Sequence, residues 1–146
     1  DDRAPFVSWG LIKSKEASGR GWMLSLSRHK ERIGALRLSL GEQQVVGSTR
    51  LNDGRWHHVA AVAMGGDSGP TVLLYVDGQL ENVSRDTLES METETDHVEA
   101  EAIRFGRQIF WDDFYLRGSM DEVYLFNAAL SGDQIRAVMR GEEFSK

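Results

Sequence analysis

Apolar and polar residues alternate along most of the chain in short runs separated by turn-forming residues. Trp22, Leu24 and Leu26 fall on one side of an extended segment at a period of two. Leu36, Leu38 and Leu40 do the same, which directs Arg37 and Ser39 outward. Residues 6–12, 45–49 and 102–106 have the length and composition of further strands. Residues 56–64 and 71–76 carry apolar side chains on both faces, which predicts central strands buried on both sides. Asp53-Gly54 and Asp77-Gly78 bound these runs. Asp-Gly favours tight turns, because glycine takes positive φ freely and aspartate bonds the nearby backbone. Residues 65–70 are long enough to close the two runs into an antiparallel hairpin.

Residues 119–126 predict a long strand, with Met120, Glu122, Tyr124 and Phe126 on one face and Asp121, Val123 and Leu125 on the other. The period then changes. Ser131 and Gln134 have the spacing of a capping box, Ile135, Val138 and Met139 share a helical face, and Gly141 stands where a helix would stop. Many short strands and one short helix favour an antiparallel sandwich over a parallel sheet with covering helices.

The chain has 146 residues, which fits a single domain over residues 1–146 with its own core. It lacks cysteine, which excludes disulfides and thiolate metal sites. A net charge of −6 argues against a general nucleic-acid binder, whose footprint would be basic. No apolar run approaches the roughly 20 residues of a membrane-spanning helix, so membrane insertion is not expected. The first five residues lack the apolar stretch of a signal peptide, so the chain reads as the middle of a longer polypeptide or a mature fragment.

Leu51-Asn52-Asp53-Gly54-Arg55-Trp56-His57-His58-Val59-Ala60, followed by Leu74-Tyr75-Val76-Asp77-Gly78, resembles the laminin-G-like members of the concanavalin A-like lectin/glucanase superfamily. The tail from Gly118 through Asp121-Glu122-Val123-Tyr124 to Leu130-Ser131 is similar to that family's closing strand and the start of its short helix. Phe6-Val7-Ser8-Trp9-Gly10 and Val46-Gly47-Ser48-Thr49 resemble bacterial members found in large exported proteins. The resemblance implies an all-β, concanavalin A-like jelly-roll sandwich of two antiparallel sheets with a short C-terminal helix. Such domains usually open with one or two further strands before the position of Phe6. Those strands are missing here, which suggests a fragment of a larger chain.

His57-His58 invites a metal reading, but neighbours on a strand point to opposite faces, and the resemblance gives both a structural role with His58 on the Trp56 face. Glu92, Glu94 and Asp96 have the alternation of glycosidase carboxylates. They lie in the acidic stretch 86–101, where Thr93 and Thr95 replace the apolar residues a catalytic strand would carry, and a solvated loop is the simpler reading. The resemblance implies one structural calcium ion held by Asp121 with ligands near the domain start. Calcium takes hard oxygen ligands, so an aspartate suits it.

The best ligand candidate is the loop 108–116, in which Phe110, Trp111, Phe114 and Tyr115 surround Asp112-Asp113. Sugar rings stack on Trp and Tyr through their C–H faces, and adjacent carboxylates accept hydroxyl hydrogen bonds. Trp111, Asp112, Asp113 and Tyr115 supply both. The competing reading folds these rings back onto the core. The expected function is non-catalytic recognition of glycan or protein by an extracellular or cell-envelope chain with neighbouring domains. The alternatives are a structural spacer and a glycan-cleaving enzyme.

Overall fold

The structure, a computed structural model, describes residues 5–11, 20–40, 43–65, 71–81, 103–107 and 115–143. In chain order the strands are β1 (Pro5–Leu11), β2 (Arg20–Leu26), β3 (Ala35–Leu40), β4 (Gln43–Arg50), β5 (Val59–Met64), β6 (Thr71–Val76), β7 (Gln79–Leu80) and β8 (Arg104–Phe105), followed by helix α1 (Gly132–Met139). They form a five-stranded sheet in the order β4-β3-β2-β1-β8 and a three-stranded sheet in the order β5-β6-β7. All pairings are antiparallel. The predicted sandwich with one C-terminal helix is therefore the fold.

Alternation builds the core as expected. Leu36, Leu38 and Leu40 of β3 and Val45 of β4 pack against Val72, Leu74 and Val76 of β6, with Trp22, Leu24 and Val59 at the margin. The opposite face of β6 carries Tyr75, which meets Val62 of β5 and Ile135 of α1 in a second cluster. Strand β6 is thus apolar on both faces because it is the middle layer, with the large sheet on one side and the helix on the other. The far face of the large sheet is also shielded: Ser8, Met23, Ser25 and Ser39 are buried. Ser39 was expected to face out. It does lie opposite the leucine face, but Met23 and Gln44 flank it across the ladder and leave its short side chain little access to solvent.

The turn chemistry holds. Asp77 and Gly78 both take positive φ, 49° and 73°, and connect β6 to β7 through a two-residue turn of the kind such dipeptides favour. The Ser131 hydroxyl accepts the Gln134 N–H at 3.3 Å, and the Gln134 side chain accepts the Ser131 N–H at 2.9 Å, completing the capping box. Gly141, at φ 69°, ends the helix, with Gly141 N–H donating to Val138 and Glu142 N–H to Ala137.

Two predicted strands differ. The ladder of β5 begins at Val59, because its partner ends at Val76 where the Asp77-Gly78 turn starts. Residues 56–58 precede the strand, and Trp56 is 70% exposed rather than buried. Ala61 and Ala63 share the face of Val59 and are exposed, because β5 is the end strand of its sheet and the large sheet packs over β6. Residues 119–126 form no strand. Glu122 takes φ 49°, a value that breaks extended backbone, and Met120, Val123, Tyr124, Leu125 and Phe126 are exposed. The local alternation survives in one respect: the Tyr124 and Phe126 rings lie on one side, stacked at 6.2 Å.

Candidate functional site

The base of the aromatic loop lies at one edge of the large sheet. Strand β8 pairs with β1 through Val7–Phe105 and Ser8–Arg104. The chain then turns through Gly106, whose N–H donates to the Phe6 carbonyl at 2.8 Å. The Ser8 hydroxyl donates to the Arg107 carbonyl at 3.1 Å. Arg107 pairs with Tyr115 in a single antiparallel bridge, and Leu116 N–H donates to Gly106 at 2.8 Å. Both ends of the loop are thereby pinned to the sheet. The Arg107 guanidinium sits 5.8 Å from the centre of the Tyr115 ring, a favourable cation–π distance. Tyr115 is nevertheless 51% exposed and Phe105 50% exposed, so neither ring is folded into the core. Of the loop residues picked from the sequence, Tyr115 is placed on this rim, while Trp111, Asp112 and Asp113 lie outside the described residues, as do Glu92, Glu94 and Asp96.

Asp121 is exposed, and its carboxylate accepts the N–H of Glu122 at 2.8 Å. Among the described residues no group of three or more His, Asp or Glu side chains gathers to hold a metal ion. The resemblance places the other calcium ligands near the domain start, and residues 1–4 lie outside the described residues.

A second polar constellation stands at the turn before β5. Asp53 accepts the Arg55 N–H at 3.0 Å and the Arg55 guanidinium at 2.6 Å. The His57 ring bridges two carboxylates, with Nδ1 2.8 Å from Asp77 and Nε2 3.1 Å from Asp53. Asp77 also accepts the His58 backbone N–H at 2.9 Å. The hydrogen bond that the ring donates to Asp77 raises the His57 pKa against the opposing effect of burial, and Asp53 adds to the rise. Hydrogen bonds from the Arg55 backbone and side chain hold the Asp53 carboxyl far below the usual carboxylate range. Burial instead pushes the neighbouring His58 down. The two neighbouring histidines are therefore shifted in opposite directions.

An imidazole with both nitrogens engaged by carboxylates has no free nitrogen for a nucleophile's proton, so the arrangement is a structural clamp rather than an acid–base centre. Sequence reading placed Trp56 in a strand and missed the Asp53–His57–Asp77 clamp. The signal available was Asp53 and His57 four residues apart around a glycine, with an aspartate heading the next turn.

A laminin-G-type family model, described as the concanavalin A-like lectin/glucanases superfamily, matches residues 3–136. No curated protein matches the chain. Among solved structures it is similar to a crystal structure of an S-layer domain-containing protein (residues 221–444) from Clostridium thermocellum ATCC 27405, at 22% identity and a TM-score of 0.45. That similarity covers 93% of this chain and 62% of the other, so the chain spans less than two thirds of that structure. With the family match running through both sheets and into the helix, the chain belongs to the concanavalin A-like lectin/glucanases superfamily.

Proposed function

We propose that the chain is a non-catalytic recognition module for glycan or protein within a larger exported or cell-envelope protein. The observation that carries this reading is Tyr115: a half-exposed ring on a sheet edge, held by a backbone bridge and by the Arg107 guanidinium. Fixing an aromatic ring before binding lowers the entropy lost on association. Phe105, on the edge strand β8 two residues before Arg107, is a second half-exposed ring. The superfamily's name joins lectins and glucanases, both of which handle carbohydrate, and this favours glycan. The placement in an exported or envelope protein extends the resemblance to bacterial members of that kind.

A glycan array with the intact chain tests the proposal. Binding is expected, with Tyr115→Ala weakening it by at least about 1 kcal/mol, as for other aromatic anchors. The melting temperature should barely move. Failure to bind any glycan or protein ligand, or loss of folding with Tyr115→Ala, would favour a spacer. Release of reducing sugar from a polysaccharide would show a glycan-cleaving enzyme instead.

A further inference from the structure

We propose that His57 guards the two Asp-Gly bonds of this chain against conversion to isoaspartate. Asp53-Gly54 and Asp77-Gly78 are the only Asp-Gly pairs in the sequence, and no Asn-Gly pair occurs. They stand in different turns, yet one imidazole holds both acids, with Nδ1 2.8 Å from Asp77 and Nε2 3.1 Å from Asp53. This protection is independent of ligand recognition.

The hazard is chemical. In an Asp-Gly pair the glycine backbone nitrogen attacks Cγ of the aspartate and forms the new C–N bond of a five-membered succinimide. The carboxyl OH and the amide proton leave together as water. A second water then opens the ring, its OH going to a carbonyl carbon and its proton to the nitrogen. Attack at the backbone carbonyl breaks the original peptide bond, frees an α-carboxyl and leaves the chain running through Cγ. Glycine is the most permissive successor because no Cβ hinders its nitrogen. Both turns nevertheless need their glycine, since Gly54 and Gly78 take φ 82° and 73°. A Cβ at Gly78 would also lie 2.9 Å from Arg136 Cγ. Both aspartates are exposed to the water that the reaction consumes. Substituting glycine is therefore costly, and restraining the carboxylates is the alternative.

The restraint acts on both oxygens of each acid. Asp53 Oδ1 accepts the Arg55 N–H at 3.0 Å, one residue past the glycine, and Oδ2 accepts the Arg55 guanidinium at 2.7 Å. Asp77 Oδ1 accepts the His58 N–H at 2.9 Å while Oδ2 meets His57. Reaching a near-attack geometry at either Cγ means giving up those bonds. The same contacts keep the groups ionised. The Arg55 bonds and then His57 hold Asp53 down, and at Asp77 burial is outweighed by the bonds from His57 and His58. An ionised carboxylate has no OH to lose and is a poor electrophile.

Ageing the intact chain for several weeks at neutral pH, well below its melting temperature, tests the proposal. Peptide mapping with electron-transfer fragmentation then reads isoaspartate at each site. His57→Phe keeps a ring but removes both bonds, and isoaspartate should rise roughly tenfold over wild type at Asp53 and Asp77 alike. His57→Leu removes the same bonds with different bulk and should behave alike, so either variant that folds decides. Ser131→Ala weakens the helix start without touching the clamp and should stay at the wild-type level. An equal rise in Ser131→Ala would mean that lost stability alone drives conversion, which overturns the proposal. Unchanged isoaspartate in the folded His57 variants would overturn it too, as would a rise at only one of the two aspartates.

Discussion

The Glu81 carboxylate, at the end of β7, accepts the hydroxyl of Thr49, on β4, at 2.6 Å. Its other oxygen accepts the Ser48 hydroxyl at 2.8 Å, the Thr49 N–H at 2.9 Å and the Ser48 N–H. One buried carboxylate thus joins the two sheets at their adjoining edges, where β4 ends one and β7 ends the other. A buried acid is tolerable only when its oxygens are satisfied, and here two hydroxyls and two backbone N–H groups do so.

Burial alone would raise the Glu81 pKa, but the hydrogen bonds from Thr49 and Ser48 outweigh it and the net shift is downward from 4.5. A carboxylate depressed in the folded state stabilises fully above its unfolded value, and that contribution is lost as pH falls through the folded value. Glu81→Gln is expected to cost roughly 1–3 kcal/mol at neutral pH. Chemical denaturation of both proteins between neutral pH and pH 3 checks this: the gap should hold down to about 4.5 and shrink below it.

His57 has the opposite sign. Its pKa is raised above 6.5, chiefly by Asp77, so the protonated ring is the form that the clamp favours. Its contribution is complete below the unfolded value and fades as pH rises through the folded one. The melting-temperature difference between the wild type and His57→Asn should therefore be largest at about pH 6, where Asp53 and Asp77 are also ionised, and should diminish toward pH 9. A difference that grows with pH would show that the ring is neutral in the clamp.

The helix depends on its first turn. Ser131→Ala removes the acceptor for the Gln134 N–H and is expected to cost about 1 kcal/mol. Ser131→Asp should retain most of that stability, since aspartate caps equally well and complements the helix dipole. Urea titrations of the two variants distinguish lost capping from lost packing.

Strand periodicity carried most of the fold, because features such as the Leu36, Leu38 and Leu40 face and the Ser131 capping box act within a few residues of one another. What failed was long-range. Trp56 looks like a strand residue from its neighbours, yet its exposure follows from where the partner strand stops, at Val76. Residues 119–126 alternate well, but a ladder needs a partner edge, and the positive φ of Glu122 breaks the extension. The Glu81 latch was invisible for the same reason: an acid at the end of an amphipathic run reads as surface until the second sheet is placed over it. Tyr115 stands out in the sequence because aromatic density in one loop is a local signal, and the structure places its ring half-exposed.

Gly47 shows that the latch shapes its neighbours. A Cβ at this position would lie 2.8 Å from a Glu81 carboxylate oxygen and 3.3 Å from its Cγ, closer than side chains pack. The backbone of Gly47 does not require glycine through a positive φ, so the constraint comes from Glu81 alone. Gly47→Ala should destabilise the wild type, because Glu81 must either yield the methyl room or give up its bonds to Ser48 and Thr49. Once Glu81 is alanine, the methyl meets no such side chain and the same substitution should be near neutral, within about 0.5 kcal/mol. The two changes are therefore expected to couple by about 0.5–3 kcal/mol in a double-mutant cycle, as residues in direct contact do. Equal costs for Gly47→Ala in both backgrounds would mean that something other than the carboxylate holds that position to glycine.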